Sequence, residues 1–416
     1  MANLHTPTVT IETYPRYVAA LEGQSVDIRG QFSDQDEDDL DYILRINSQV
    51  VSEGRAHYVN GYEQLSYATK PGDLNPGRNG IALSASDGVH MASASQMLHV
   101  DENITYPTKE LEVTVKGICY SPGLNAWVHD FPVYPEPVVE EHMTVIRDEL
   151  GCNGIKLFGD LNDAMITCAR LASARSFDQI LLAPMYIDAS PEKYCEEFEE
   201  LSKAAEALRQ DCQNVRLLIG NELAGVVRGI IPGDTYTERA RNIGKVTDWG
   251  PALEKLLKEL LYIARKHFRG MVSYAAGNWE GVDWRQLDVD FICENEYKDW
   301  YHTNVWLRNR IGTLKRYGKP VHVTEFGTST FEGADQYGGG GWLEAGTYSE
   351  EAQASYIRDY LEFFNQLGID GCCLFEFTQN TDYNPPIDMG IMKFIDERHF
   401  IRKKAFYMYK SYQRSP

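Results

Sequence analysis

Between residues 109 and 413 a short apolar run and a more polar connecting stretch succeed one another eight times, and no other feature restricts the fold as much. The apolar runs are 113–120, 154–158, 179–186, 215–221, 271–276, 291–297, 320–326 and 371–377. Each is mostly free of charge and short, as expected of a strand buried on both faces. Helical stretches lie at about 137–150, 252–267, 304–317, 349–367 and 402–413, and another begins at Ser190. There Ser190 suits the N-cap, Pro191 the first helical position, and Tyr194, Phe198, Leu201, Ala205 and Leu208 follow the helical period. Eight strand–helix units in about 300 residues is the count of a (β/α)8 TIM barrel, an α/β fold. No GxGxxG or phosphate loop follows the first strand, which argues against a doubly wound sheet.

Residues 1–104 read differently. Alternating runs at 9–11, 26–28, 42–46, 81–83 and 97–100 are separated by turn residues such as Pro71, Gly72, Pro76 and Gly77, with no amphipathic helical window. About seven short strands in ~100 residues suggest an all-β, Ig-like sandwich. The stretch 84–88, followed by 92–95 and a closing strand, resembles the last hairpin of cadherin-like or PKD-like modules. The expected division is a sandwich at 1–104 and a catalytic barrel at 105–416, with a linker at 101–108 containing Pro107. The acidic run 33–41 reads as a solvated loop, with calcium binding as the sharper alternative.

A formal net charge of −21 repels nucleic acid and anionic membranes, so neither is an expected partner. No apolar run approaches 18 residues. The 8 cysteines form no CxxC, and Cys119, Cys293, Cys372 and Cys373 fall in strands, where a thiol acts as a small hydrophobe. Residues 1–5 carry no basic and apolar leader. The chain as written is expected in the cytoplasm, or outside the cell if a leader has been removed.

Two of the apolar runs end in a carboxylate. The fourth closes on Asn221 and Glu222, the seventh on Glu325, Phe326 and Gly327. The two glutamates are 103 residues apart, three units of about 34 each. In a barrel both would stand at the C-terminal mouth, facing each other. Cleavage of a glycosidic bond needs such a pair, one carboxyl to protonate the leaving oxygen and one to attack or to activate water.

These two motifs resemble the strand ends of clan A glycoside hydrolases, the retaining (β/α)8 enzymes, over residues ~113–413. The resemblance implies that Glu222 is the general acid/base and Glu325 the nucleophile, about 5 Å apart. It implies that Asn221 binds the hydroxyl next to the reacting carbon. Family 5-like members carry His-x-Tyr on the sixth strand, where this chain has Asn295 and Tyr297, with Glu294 and Glu296 on the other face. Lys156 stands where an Arg is common, and loses its bidentate geometry. The strand-eight Trp of the clan is absent, and Phe375 and Glu376 occupy that stretch. Glu376 would bind a hydroxyl or pair with a cation. Trp279 and Trp342, with Trp127 and Trp300, are candidate sugar platforms, and His129 and Asp130 follow the first strand.

The words around Gly220 to Leu223, 229–233, Glu238, Arg239, Thr324 to Gly327 and Phe331 to Ala334 also resemble proteins named for abortive phage infection. The expectation is a carbohydrate substrate of β-glucan or β-mannan type, no cofactor and no metal, with oligomeric state open. The alternative is a carbohydrate-binding or phage-defence protein on the same barrel, without turnover.

Overall fold

The computed structural model describes residues 5–122, 133–299, 302–337, 347–379, 387–396 and 399–414. Trp127, His129, Asp130, Trp300 and Trp342 lie outside the described residues. The chain divides into two compact units, Met1–Ile104 with Phe394–Arg402, and Thr105–Lys393 with Lys403–Pro416.

The second unit is a closed barrel of eight parallel strands. They are β1 (Val115–Tyr120), β2 (Gly154–Gly159), β3 (Gln179–Pro184), β4 (Val215–Asn221), β5 (Val272–Gly277), β6 (Ile292–Asn295), β7 (Val321–Phe326) and β8 (Gly371–Leu374). The last strand pairs back onto the first, Val115 opposite Gly371, which leaves no open edge. Nearly every strand residue is buried, as a sheet covered on both faces requires.

Helices pack outside. In α1 (Pro191–Asp211) the Ser190 hydroxyl accepts the Lys193 N–H at 3.2 Å, and the buried side chains are the periodic set Tyr194, Phe198, Leu201, Ala205 and Leu208, with Ser202. The next, α2 (Gly250–His267), buries Leu253, Leu256, Leu257, Leu260 and Leu261. Between β5 and β6 only the short turn Trp284–Gln286 is helical.

Three strand pairings change register at their C-terminal ends, between Leu218 and Asn221, Glu294 and Asn295, and Val323 and Phe326. Such irregularities re-aim side chains, and these three fall on the strands that carry Asn221, Asn295 and Glu325 at or next to their last residue. Two glycines make the geometry possible. Gly220 sits at φ +156°, and a Cβ there would lie 2.5 Å from Leu223 Cδ2. At Gly327 a Cβ would lie 2.2 Å from the Phe375 carbonyl oxygen. Neither position accepts a larger residue without moving the strand end.

Among the described residues the first unit holds a three-stranded and a five-stranded sheet. One orders Thr8–Tyr14, Asp27–Ser33 and Leu65–Ala68; the other orders Ala20–Leu21, Met91–Asp101, Gly77–Ser86, Leu40–Ile46 and Gln49–Ala56. Val26, Ile28, Phe32, Leu44, Ile81, Leu83 and Leu98 form its core. Phe394–Arg402 belongs here although it lies far along the chain: Arg402 donates to Asp101 at 2.9 Å and to the Ala19 carbonyl at 2.7 Å. In the acidic run, Asp36 accepts the His5 main-chain N–H at 2.8 Å, and Asp39 and Asp41 pair with His57 and Arg55. Among the described residues no group of three or more His, Cys, Asp or Glu could hold a metal ion, and no helix is long and apolar enough to cross a membrane. All eight cysteines are free thiols.

Candidate active site

The site builds outward from Lys156. Its strand is buried on both faces, and its side chain is 0% exposed, pointing up the barrel. A buried ammonium needs partners. Nζ donates to Glu325 Oε1 at 2.6 Å and to Asn221 Oδ1 at 2.7 Å. Burial works against the charged form of Lys156, but Glu325 outweighs it and holds the pKa above the ordinary lysine value. The second oxygen of Glu325 accepts the Tyr297 hydroxyl at 2.7 Å. Both oxygens of this buried carboxyl therefore accept, the role of an ionised carboxylate. Tyr297 stays protonated, its pKa driven well up by burial and then by Glu325.

Asn221 and Asn295 link this half of the site to Glu222. The Lys156 contact fixes the Asn221 amide with Oδ1 toward the ammonium, so its NH2 group points the other way, against Met185 Sδ at 3.5 Å. A thioether is a weak acceptor, which leaves Asn221 Nδ2 available to a ligand oxygen. Asn295 Oδ1 accepts the Thr324 hydroxyl at 2.9 Å, and its Nδ2 donates to Glu222 Oε1 at 3.0 Å and to Asn221 Oδ1 at 3.2 Å.

Glu222 has a different setting. It is half-buried, in the left-handed region at φ 47°, ψ 49°. That backbone is uncommon for a non-glycine residue and persists where the surroundings enforce it. Here they do: Glu222 N–H bonds the Ala275 carbonyl at 2.9 Å, and Glu280 pins the turn that follows. Glu280 accepts the Ala224 N–H at 2.9 Å, the Gly277 N–H at 2.8 Å and the Tyr274 hydroxyl at 2.7 Å, while that hydroxyl accepts the Leu223 N–H at 2.8 Å. Desolvation, and then the negative Glu325, push the Glu222 pKa up to about 7, against hydrogen bonds from Asn295 and Trp279 that lower it. One carboxyl of the pair is thus held as an acceptor, and the other carries its proton near neutrality.

Of the residues singled out from sequence, Asn221, Glu222, Asn295, Tyr297, Lys156 and Glu325 meet in one hydrogen-bonded group. Trp279 is half-buried beside it, its ring 5.9 Å from that of Trp249. Glu376 is 3% exposed at the end of β8 and is affected by the Glu325 charge. Glu294 faces outward and binds Trp284 and Arg310, and Glu296 takes Asn278, so neither joins the group. Thr324, Met185, Tyr274 and Glu280 were not legible as members, nor were Phe158 and Phe375, whose rings stand 5.3 Å apart, with Phe375 also against Tyr297.

No protein-family model matches the sequence, and no curated protein matches it. Solved structures do. The β-glucuronidase of Parabacteroides merdae is 13% identical with a TM-score of 0.50, over 98% of this chain and 53% of that one. The Ruminococcus gnavus β-glucuronidase is 15% identical with a TM-score of 0.48, over 97% of this chain and 68% of that one. A GH113 β-1,4-mannanase is 15% identical with a TM-score of 0.49, over 73% of this chain and 99% of that one. These neighbours are glycoside hydrolases. At such identity the likeness concerns the fold, a TIM barrel with an additional β domain.

Proposed function

We propose that the protein is a retaining glycoside hydrolase of the clan A, family 5-like type, acting on β-linked glycosides of the glucan or mannan class. Glu325 attacks the anomeric carbon and forms a glycosyl-enzyme intermediate. Glu222 protonates the leaving oxygen and then, as a base, activates the water that releases the sugar. Lys156 and Tyr297 hold Glu325 in line by one hydrogen bond to each oxygen, and Asn221 Nδ2 takes the hydroxyl beside the reacting carbon. The first unit is read as an Ig-like module.

The observation that carries this reading is the asymmetry between the two carboxyls. Glu325 receives an ammonium and a phenol hydroxyl, while Glu222 has its pKa near 7. That is the division a double displacement needs at neutral pH. The glycosidase folds of the structural neighbours are consistent with it. The resemblance to abortive phage infection proteins supports a second reading, a sugar-binding protein without turnover, which Asn295 in place of His, Lys156 in place of Arg and the missing Trp of the eighth strand favour.

A 2-fluoro aryl glycoside followed by peptide mass mapping separates the two. A stoichiometric glycosyl adduct on Glu325 is expected. No inactivation across gluco- and manno-configured reagents, with sugar binding unchanged in Glu325→Gln, would leave the binding reading.

A further inference from the structure

Resting on the glycosidase reading, we propose that Glu376 is a specificity residue that hydrogen-bonds a hydroxyl of an uncharged sugar, and that this pocket excludes uronic acids. Glu376 is 3% exposed, and its carboxyl has no hydrogen-bond partner among the described residues. Its backbone is held on both sides, N–H to the Met389 carbonyl at 3.3 Å and C=O from the Ile391 N–H at 3.0 Å. The residue is held at the barrel end by its neighbours: Phe375 N–H bonds the Phe326 carbonyl at 2.8 Å, and Phe377 N–H the Cys119 carbonyl at 3.0 Å. The adjacent ring of Phe375 packs on Phe158 and Tyr297.

A carboxyl on a buried residue that no donor among the described residues meets is free to bond a ligand hydroxyl. A cation is not what it meets in the protein. Lys156 is taken by Glu325 and Asn221, Lys403 by Asp388 at 2.5 Å, and Lys298 Nζ donates to the Asp335 carbonyl at 3.3 Å. The stretches 123–132, 300–301, 338–346 and 380–386 contain no Lys or Arg. Burial first, then Asp388 and Glu325, raise its proton affinity well above that of an ordinary glutamate, and outweigh Lys403, which acts the other way. A neutral carboxylic acid donates one hydrogen bond and accepts others, which matches a sugar hydroxyl. A sugar carboxylate would be desolvated beside Glu222, Glu325 and Glu376, where the described lysines Lys156, Lys298 and Lys403 already have partners.

The test compares an aryl β-glucuronide with its methyl ester, which differ in charge, alongside the aryl β-glucoside and β-mannoside. Wild-type enzyme is expected to favour the ester over the acid by about 100-fold or more in kcat/KM. Glu376→Gln keeps a donor and is expected within about threefold of wild type on the better neutral substrate, whereas Glu376→Ala loses about 10- to 100-fold. Equal cleavage of acid and ester overturns the proposal, as does a loss in Glu376→Gln equal to that in Glu376→Ala. If Glu376→Ala does not fold, the acid-to-ester ratio and Glu376→Gln decide. If no glycoside is cleaved and no fluoro-sugar adduct forms, the hydrolase reading has failed by itself. Charge selection is then read by calorimetry with isofagomine and its uronic counterpart. Tighter isofagomine binding upholds the proposal; tighter uronic binding, equal binding or no binding of either overturns it.

Discussion

The ends of β4 and β7 look alike in sequence and are built in opposite ways. Both carry a glutamate after a run of buried residues, and both depend on a glycine two positions away. At β7 Glu325 is still within the strand, 4% exposed and fastened at both oxygens by Lys156 and Tyr297. At β4 the chain bends at Gly220, and Glu222 takes a left-handed backbone, half-buried, with Asn295 on one oxygen. A carboxylate that must attack along one line gains from fixed position and lasting charge. A carboxyl that must give and recover a proton gains from incomplete pairing and a pKa near the working pH. The same residue type serves both ends because the surrounding donors differ.

If that contrast holds, the largest effect comes from exchanging the carboxyls for amides. Glu325→Gln should lose on the order of 10⁴-fold or more in kcat on every substrate, since no other group forms the covalent bond. Glu222→Gln should lose roughly 10²–10⁴-fold on substrates with poor leaving groups and much less with dinitrophenyl glycosides, which need no proton. Equal losses on both substrate types would erase the distinction. Lys156→Met comes next. It leaves Glu325 buried without its ammonium, and should lower kcat/KM by about 10- to 100-fold. An unchanged kcat/KM would remove Lys156 from the account of Glu325.

The smallest effect is on stability. The folded chain holds the Glu222 proton up to a pKa of about 7, against 4.5 ordinarily. Between those values the folded state binds more protons than the unfolded one, so stability falls as pH rises through this window. The penalty is complete above pH 7 and, with the group half-buried, amounts to roughly 1–3 kcal/mol. Glu222→Gln should therefore raise the melting temperature at pH 8 and leave it nearly unchanged at pH 4. In wild type, activity should decline as pH rises past about 7, when the acid loses its proton.

Much of this contrast could be read from the chain, and the unread part has a physical pattern. A charge ending an apolar run stands out in one dimension, which is why Glu222 and Glu325 were visible, whereas Lys156, inside its run, was singled out through the resemblance. Asn295 and Tyr297 were visible by alternation along a strand. Hidden were the groups whose role depends on where another strand ends. Thr324 orients Asn295 across a strand pairing, and Glu280 holds the turn after Glu222 from the next strand over. The register shifts on β4, β6 and β7 leave no mark in apolar periodicity. The return of Phe394–Arg402 to the first unit depends on Arg402 meeting Asp101, a pairing 301 residues apart in sequence.

Azide rescue of the two alanine variants tests the division of labour most directly. In Glu222→Ala the covalent intermediate still forms, and azide should release it from the same face as water, giving a β-glycosyl azide. In Glu325→Ala no intermediate forms, and azide entering in place of the nucleophile should give the α-azide. Proton NMR of the products distinguishes them. A β-azide from Glu222→Ala and an α-azide from Glu325→Ala is the expected result; the reverse assignment, or the same anomer from both, would contradict it.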